Sequence, residues 1–311
     1  MYNIVEKRRW YFILSAILVG LSVVAMVIST TQFGQPLRLG IDFTGGAIFV
    51  IQFDQVADED DVRAAFVEYG LESAIVQPLG TPEERTWQVR TREVAATEVA
   101  ELLDALEEQI GRIDRDSLTF DTVEPAVGGE VARAAGWAIL VAALVIVAFM
   151  WFSFRRVPNA FRYGVCTIIG MAYNLLIALG FYALMGVIAG WEVDALFLTA
   201  ILTVIGFSVQ DVIVVFDRIR ENIPRHRTEP YETVVNRSIL ETLHRSLATQ
   251  LNAMFVMVAI LLFGGTTIKP FIATMLVGMV SETYSAIFIA VPLLVVWEKA
   301  AARRAGAQAA A

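Results

Sequence analysis

The sequence predicts an α-helical membrane protein with six transmembrane helices and an external α+β, ferredoxin-like domain between helices 1 and 2. Three observations carry this. Of the 311 residues 57% are hydrophobic and mean hydropathy is +0.61, whereas soluble domains are roughly 45–50% apolar. Apolar runs long enough to cross a bilayer recur at about 10–28, 132–154, 163–189, 195–216, 247–263 and 271–297. Between the first two runs, residues 30–130 hold roughly 21 acidic and 7 basic side chains, an excess of about 14 negative charges against −8 for the whole chain.

Lys7, Arg8 and Arg9 precede the first apolar run. This start resembles a signal peptide, but the run is long and lacks a small-residue cleavage site, which favours a retained span. The acidic stretch reads as strand (47–53), helix (58–70), strand (73–78), strand (86–91), helix (97–111) and strand (117–123). That βαββαβ order is the split βαβ of ferredoxin-like domains. The first helix opens on acids and closes at Gly70; the second takes Thr97 as its N-cap and Gly111 beyond its last turn. GIDFTGG, at 40–46, leads into the first strand. No Lys-Ser/Thr pair follows it and no helix comes next, so a tight turn is expected rather than a phosphate site.

The chain divides accordingly into an N-terminus with helix 1 (1–29), an external domain (30–130), helices 2–6 (131–298) and a tail (299–311). Arg155, Arg156 and Arg162 follow the second span, Arg218, Arg220, Arg225, Arg227 and Arg237 the fourth, and Lys299, Arg303 and Arg304 the sixth. By the positive-inside rule both termini lie in the cytoplasm. At about 230–245, Val234, Val235, Ile239, Leu240 and Leu243 alternate with charges, which predicts a surface amphipathic helix serving as an interfacial brace or a partner-docking face.

Asp211 is the only charge between residues 195 and 216, inside a run read as one long helix. A charge there costs several kcal/mol unless paired, hydrated or protonated, so such a group marks a functional site by default. Antiparallel spans four and five place Asp211 and Arg245 toward the same end, where they can meet or share water. Arg245, Thr249 and Asn252 share one helical face, and Thr199, Thr203, Gly206 and Gln210 form a similar stripe near Asp211. Two facing polar stripes make a hydrated path; the alternative is that Arg245 snorkels to lipid phosphate and Asp211 fixes packing. Glu282 is a second intramembrane acid, either a proton-titrating group or a neutral, hydrogen-bonded packing group. Tyr173 and Asn174 read as interhelical hydrogen-bonding groups. The single cysteine, Cys166, excludes an intrachain disulfide and reads as a buried hydrophobe. His226 and His244 lack partners at metal-ligand spacing, so no metal is assigned. No Walker motif and no hydrolytic motif appears, which points away from an enzyme and requires no cofactor.

GIDFTGG at 40–46, GFSVQDVIVVFDRIREN at 206–222, TLHRS at 242–246, FGG at 263–265 and TYSAIFIAVPL at 283–293 run in order along essentially the full length. Together they resemble the SecF family, the smaller membrane subunits of the SecDF protein-export accessory complex. The resemblance implies a half-transporter of the resistance-nodulation-division superfamily in the bacterial cytoplasmic (inner) membrane. It implies SecD as partner, association with SecYEG, YajC and YidC, and use of the proton-motive force on unfolded preprotein after the SecA ATPase has acted. Protons would be the coupling ion, membrane lipid the surroundings, and nucleic acid no partner.

The family's proton-path residues fall on Asp211 and Arg245, with Thr199, Thr203, Gln210, Thr249, Asn252 and Asn174 as supporting polar groups. Two departures stand out. The family usually has His-Asp where this chain has Tyr173-Asn174, and Gly where it has Glu282, so Glu282 is expected to take over part of the missing acid's role. Gln210 and Asn252 stand where the family more often has Asn and Thr. Two further readings remain. A small-molecule efflux half-pump is opposed by the small external domain. A scaffold without proton transport is opposed by Asp211 and Arg245 and favoured by the missing third-span acid.

Overall fold

The computed structural model describes residues 3–71, 74–79, 85–91, 94–123, 125–155, 160–265 and 268–309. Residue 73, the expected start of the second strand, and Arg156 lie outside the described residues, as does the side chain of Arg304. The chain forms two compact units: Leu39–Gly136 with Val193–Ala195, and Met1–Arg38 with Trp137–Glu192 and Leu196–Ala311.

In the smaller unit, β1 (Gly46–Gln52), β2 (Ile75–Pro78), β3 (Thr86–Thr91) and β4 (Thr119–Val123) form one sheet of order β2-β3-β1-β4. All neighbours are antiparallel, with Phe49 opposite Val89 on one side and Phe120 on the other. Alternation along β1 sends Ala47, Phe49 and Ile51 into the core. There they meet Val62 and Phe66 of one helix (Glu59–Glu68) and Leu102 and Leu106 of another (Ala96–Gln109).

The second of these helices starts earlier than expected. Ala95 is its N-cap, and the Glu98 amide donates to Ala95 O (2.8 Å), so Thr97 lies inside the first turn. The segment at 40–46 is also more than a turn, since Ile41–Thr44 closes a short helix. Gly45 then has φ 75° and Gly46 φ 129°. A Cβ on Gly46 would stand 2.6 Å from Thr91 O, so glycine is required there on two counts. The same segment holds the chain that returns at 193–195. Gly40 N–H donates to Val193 O (2.8 Å), and Asp42 Oδ2 accepts from the Ala195 amide (2.8 Å).

Numbered along the whole chain, the helices are α1 (Arg8–Phe33), α2 (Ile41–Thr44), α3 (Glu59–Glu68), α4 (Ala96–Gln109), α5 (Pro125–Phe154) and α6 (Ala160–Ala189), then α7 (Ala195–Phe207), α8 (Gln210–Arg225), α9 (Tyr231–Phe263), α10 (Lys269–Ser285) and α11 (Val291–Ala309). A π-helical segment, Ala286–Ala290, joins the last two. Among the described residues six helical runs are long and apolar enough to cross a membrane, with α7–α8 forming the fourth and α10–α11 the sixth.

Small residues bring these helices close. A Cβ on Gly180 of α6 would fall 2.2 Å from Ser22 Cβ of α1, and one on Gly278 of α10 would fall 2.3 Å from Val204 Cγ2 of α7. Three runs differ from the sequence reading. The fourth is broken at Ser208 and Val209, the surface stretch at 231–245 continues into the fifth span as one helix, and the sixth carries the π segment.

Candidate functional site

The break in the fourth run has a local cause. Ser208 Oγ donates to Val204 O (2.7 Å) and accepts from Asn174 Nδ2 (3.0 Å), whose Oδ1 in turn accepts from Ser281 Oγ (2.8 Å). A serine bonding back one turn and sideways to a neighbour competes with the helical ladder and bends it. The consequence is a second helix start in the middle of the run. The first amides of α8 have no intrahelical acceptor, and their dipole favours negative charge. Asp211 lies in that first turn.

Asp211 is 4% exposed, Gln250 5% and Glu282 0%. Gln250 Nε2 donates to Asp211 Oδ2 (3.1 Å) and reaches Glu282 Oε2 (3.4 Å), so one amide group spans two carboxyl groups from different helices. The Asp211 backbone amide also lies close to the Glu282 carboxyl group. Among the described residues, Glu282 Oε1 and Ser246 Oγ have no hydrogen-bond partner. Two buried carboxyl groups sharing one amide donor are a costly arrangement inside a membrane, of the kind that marks a functional site.

The other named residues divide between two faces. Asn174 is wholly buried and joins the site through Ser208 and Ser281. Arg245, Thr249 and Asn252 are exposed on α9; Thr199 and Gln210 are exposed and Thr203 partly so on the fourth run. Arg245 makes no ion pair among the described residues, and Asp211 is met by Gln250 instead. The helical period explains this. At about 100° per residue, Arg245 lies roughly 140° around α9 from Gln250. Thr242, Ser246 and Gln250, spaced by four, are the buried polar face. That spacing is present in the sequence beside the exposed stripe of Arg245, Thr249 and Asn252. Tyr173 packs on Tyr284, with ring centroids 6.2 Å apart, and Cys166 is buried. His226 lies among Arg237 and Glu229.

Residues 103–300 match the model for the protein export membrane protein SecD/SecF, C-terminal family. The chain belongs to the SecD/SecF family. Residues 32–55, around the two glycines that lead into β1, match the SecD/SecF GG motif. Among curated proteins the chain is 43% identical to the protein translocase subunit SecF of Thermobaculum terrenum, covering 96% of this chain and 94% of that one. It is 41% identical to the same subunit of Anaerolinea thermophila, over the same shares. Among solved structures it is similar to SecDF, a translocon-associated membrane protein from Thermus thermophilus (TM-score 0.80, 27% identity). That likeness covers 96% of this chain and 39% of the SecDF chain, so this SecD/SecF family member spans well under half of the longer protein. Its six apolar runs and its family make it a multi-pass protein of the bacterial inner membrane.

Proposed function

We propose that this chain is the SecF subunit of a SecDF-type complex, working with SecD to promote late, ATP-independent steps of preprotein export through SecYEG. Its relatives carry that subunit's name along nearly their whole length. It acts as a transport subunit rather than an enzyme, in assemblies that include SecA, YajC and YidC. The small unit is its external, ferredoxin-like domain, a reading supported by the antiparallel order β2-β3-β1-β4 with α3 and α4 as crossovers. Both termini are cytoplasmic, as the basic clusters after the even-numbered spans suggest.

The proton-motive force drives the cycle. The observation that carries this is the buried Asp211–Gln250–Glu282 contact at the start of α8. Adding a proton to the carboxyl pair removes the negative charge held by the α8 amides and by Gln250, so two packings of α8, α9 and α10 exchange stability. One charge moved through 100 mV supplies about 2.3 kcal/mol, enough to bias states a few kcal/mol apart. Arg245, with Thr199, Thr203, Gln210, Thr249 and Asn252, forms the outer part of the path, at the face turned toward SecD. Glu282 supplies the second acid that Asn174 does not.

The test is force-dependent completion of preprotein export in membrane vesicles containing this chain and its SecD. Asp211→Asn is expected to abolish the force-dependent step and Glu282→Gln to reduce it. Full force-dependent export by Asp211→Asn would overturn proton coupling through this site and leave a scaffold.

A further inference from the structure

Residues 3–9 are built into the start of α9. Ile4 and Val5 are buried in one core cluster with Val235 and Ile239. The Ile4 amide donates to Asn236 Oδ1 (2.8 Å), and Arg8 Nη1 donates to Val5 O (3.0 Å) and Glu232 Oε1 (3.1 Å). Lys299 Nζ pairs with the same Glu232 oxygen. A cavity of about 700 Å³ remains here, lined by Asn3, Glu6, Arg8, Arg9, Glu232 and Asn236 among others.

The charges around it are unequal in their commitments. Arg8 and Glu232 satisfy each other in the wall. Glu6 and Arg9, three residues apart, have no ion-pair partner among the described residues, and Glu6 Oε2 accepts only the Asn3 amide (3.0 Å). Directly along α1 from Arg9, in steps of about four residues, stand Ile13, Ile17 and Leu21, all exposed. Trp10, also exposed, follows Arg9 in the chain, and tryptophan is enriched at membrane interfaces.

We propose that this cavity is a binding site for a zwitterionic phospholipid with a primary-ammonium headgroup. Arg9 takes the phosphate, Glu6 the ammonium, and the acyl chains lie along Ile13, Ile17 and Leu21. The lining carries two cations and two anions, so its charge cancels, as that headgroup's does. An anionic glycerol headgroup offers Glu6 no cation to pair with, and a choline headgroup has no N–H to donate to it. The volume lies within the range of small-molecule sites, roughly 300–1,000 Å³. The proposal rests on the chain spanning a membrane and is independent of proton coupling.

The test is native mass spectrometry of the delipidated full chain in mild detergent, titrated separately with phosphatidylethanolamine, phosphatidylglycerol, phosphatidylcholine and free phosphoethanolamine. Phosphatidylethanolamine is expected to be retained about tenfold more tightly than the other lipids, with Arg9→Gln and Glu6→Gln each removing about that tenfold preference and Lys7→Gln leaving it intact. Both variants alter exposed side chains, and an unchanged melting temperature verifies their fold. Equal retention of phosphatidylglycerol, equal binding of free phosphoethanolamine, or variants that retain the lipid as the parent does would each overturn the proposal.

Discussion

Gln250 is the side chain on which the intramembrane site depends. Its amide is the donor shared by Asp211 and Glu282, so Gln250→Leu leaves both carboxyl groups short of a partner in a dry interior. The expected cost is about 1–3 kcal/mol per unsatisfied group, read as a lower melting temperature of the purified chain, together with loss of force-dependent export. Gln250→Glu would put a third acid beside the other two and is expected to be worse than the leucine variant in the same melting experiment. Asp211 and Glu282 were legible in the sequence because a lone acid in an apolar run is costly enough to need a reason. Gln250 was not singled out, because α9 carries two polar stripes of equal regularity. Periodicity fixes the angle between the stripes, but only the neighbouring helices decide which one turns inward.

Among the elements, the π segment Ala286–Ala290 sets the register between Glu282 and the end of the last span. Deleting one residue there, such as Phe288, is expected to restore α geometry with little net rotation of the two halves, because a π turn absorbs about one residue more than an α turn. Glu282 then stays beside Gln250; the expected outcome is a membrane-inserted chain that keeps force-dependent export, whereas an inserted residue, which the π turn has no room for, turns Glu282 away and abolishes it. Gly180→Val places a side chain on Ser22 and is expected to cost about 1–3 kcal/mol by overpacking, measured by thermal unfolding.

In the smaller unit, Arg115 donates to Glu107 (2.9 Å) and holds its carboxyl group below the ordinary value of 4.5. A lowered folded-state value stabilises above the unfolded value and loses that contribution as pH falls through it. Arg115→Gln should therefore narrow the difference in melting temperature between neutral and acid pH. The strands and helices of this unit were readable from alternation and punctuation, whereas the start of α4 was not: Thr97 has the better capping chemistry, but the extended backbone at Ala95 decides where the first turn begins. The spans were found by hydropathy, yet their breaks were not, since the bond back from Ser208 to Val204 is joined by one from Asn174 on another helix, which the sequence does not display.

At the scale of the molecule, the exposed polar positions Thr199, Gln210, Arg245, Thr249 and Asn252 belong to a chain that spans 39% of its structural relative. Such side chains are unfavourable against lipid and favourable against another helical subunit. Thr249→Trp is expected to leave the melting temperature of the isolated chain unchanged while lowering the amount of SecD recovered with it from membranes.

The small unit also has a history written into its connectivity. Leu39 bridges Val193, and Gly40 and Asp42 bond to Val193 and Ala195, residues synthesised only after two spans have followed the sheet. On the ribosome the sheet can form as soon as Val123 has emerged, but its last hydrogen bonds must wait until the third span has been threaded. Closure of this unit thus requires that half of the spans have been synthesised, and a chain stalled before Val193 carries a sheet that is paired and still unsealed.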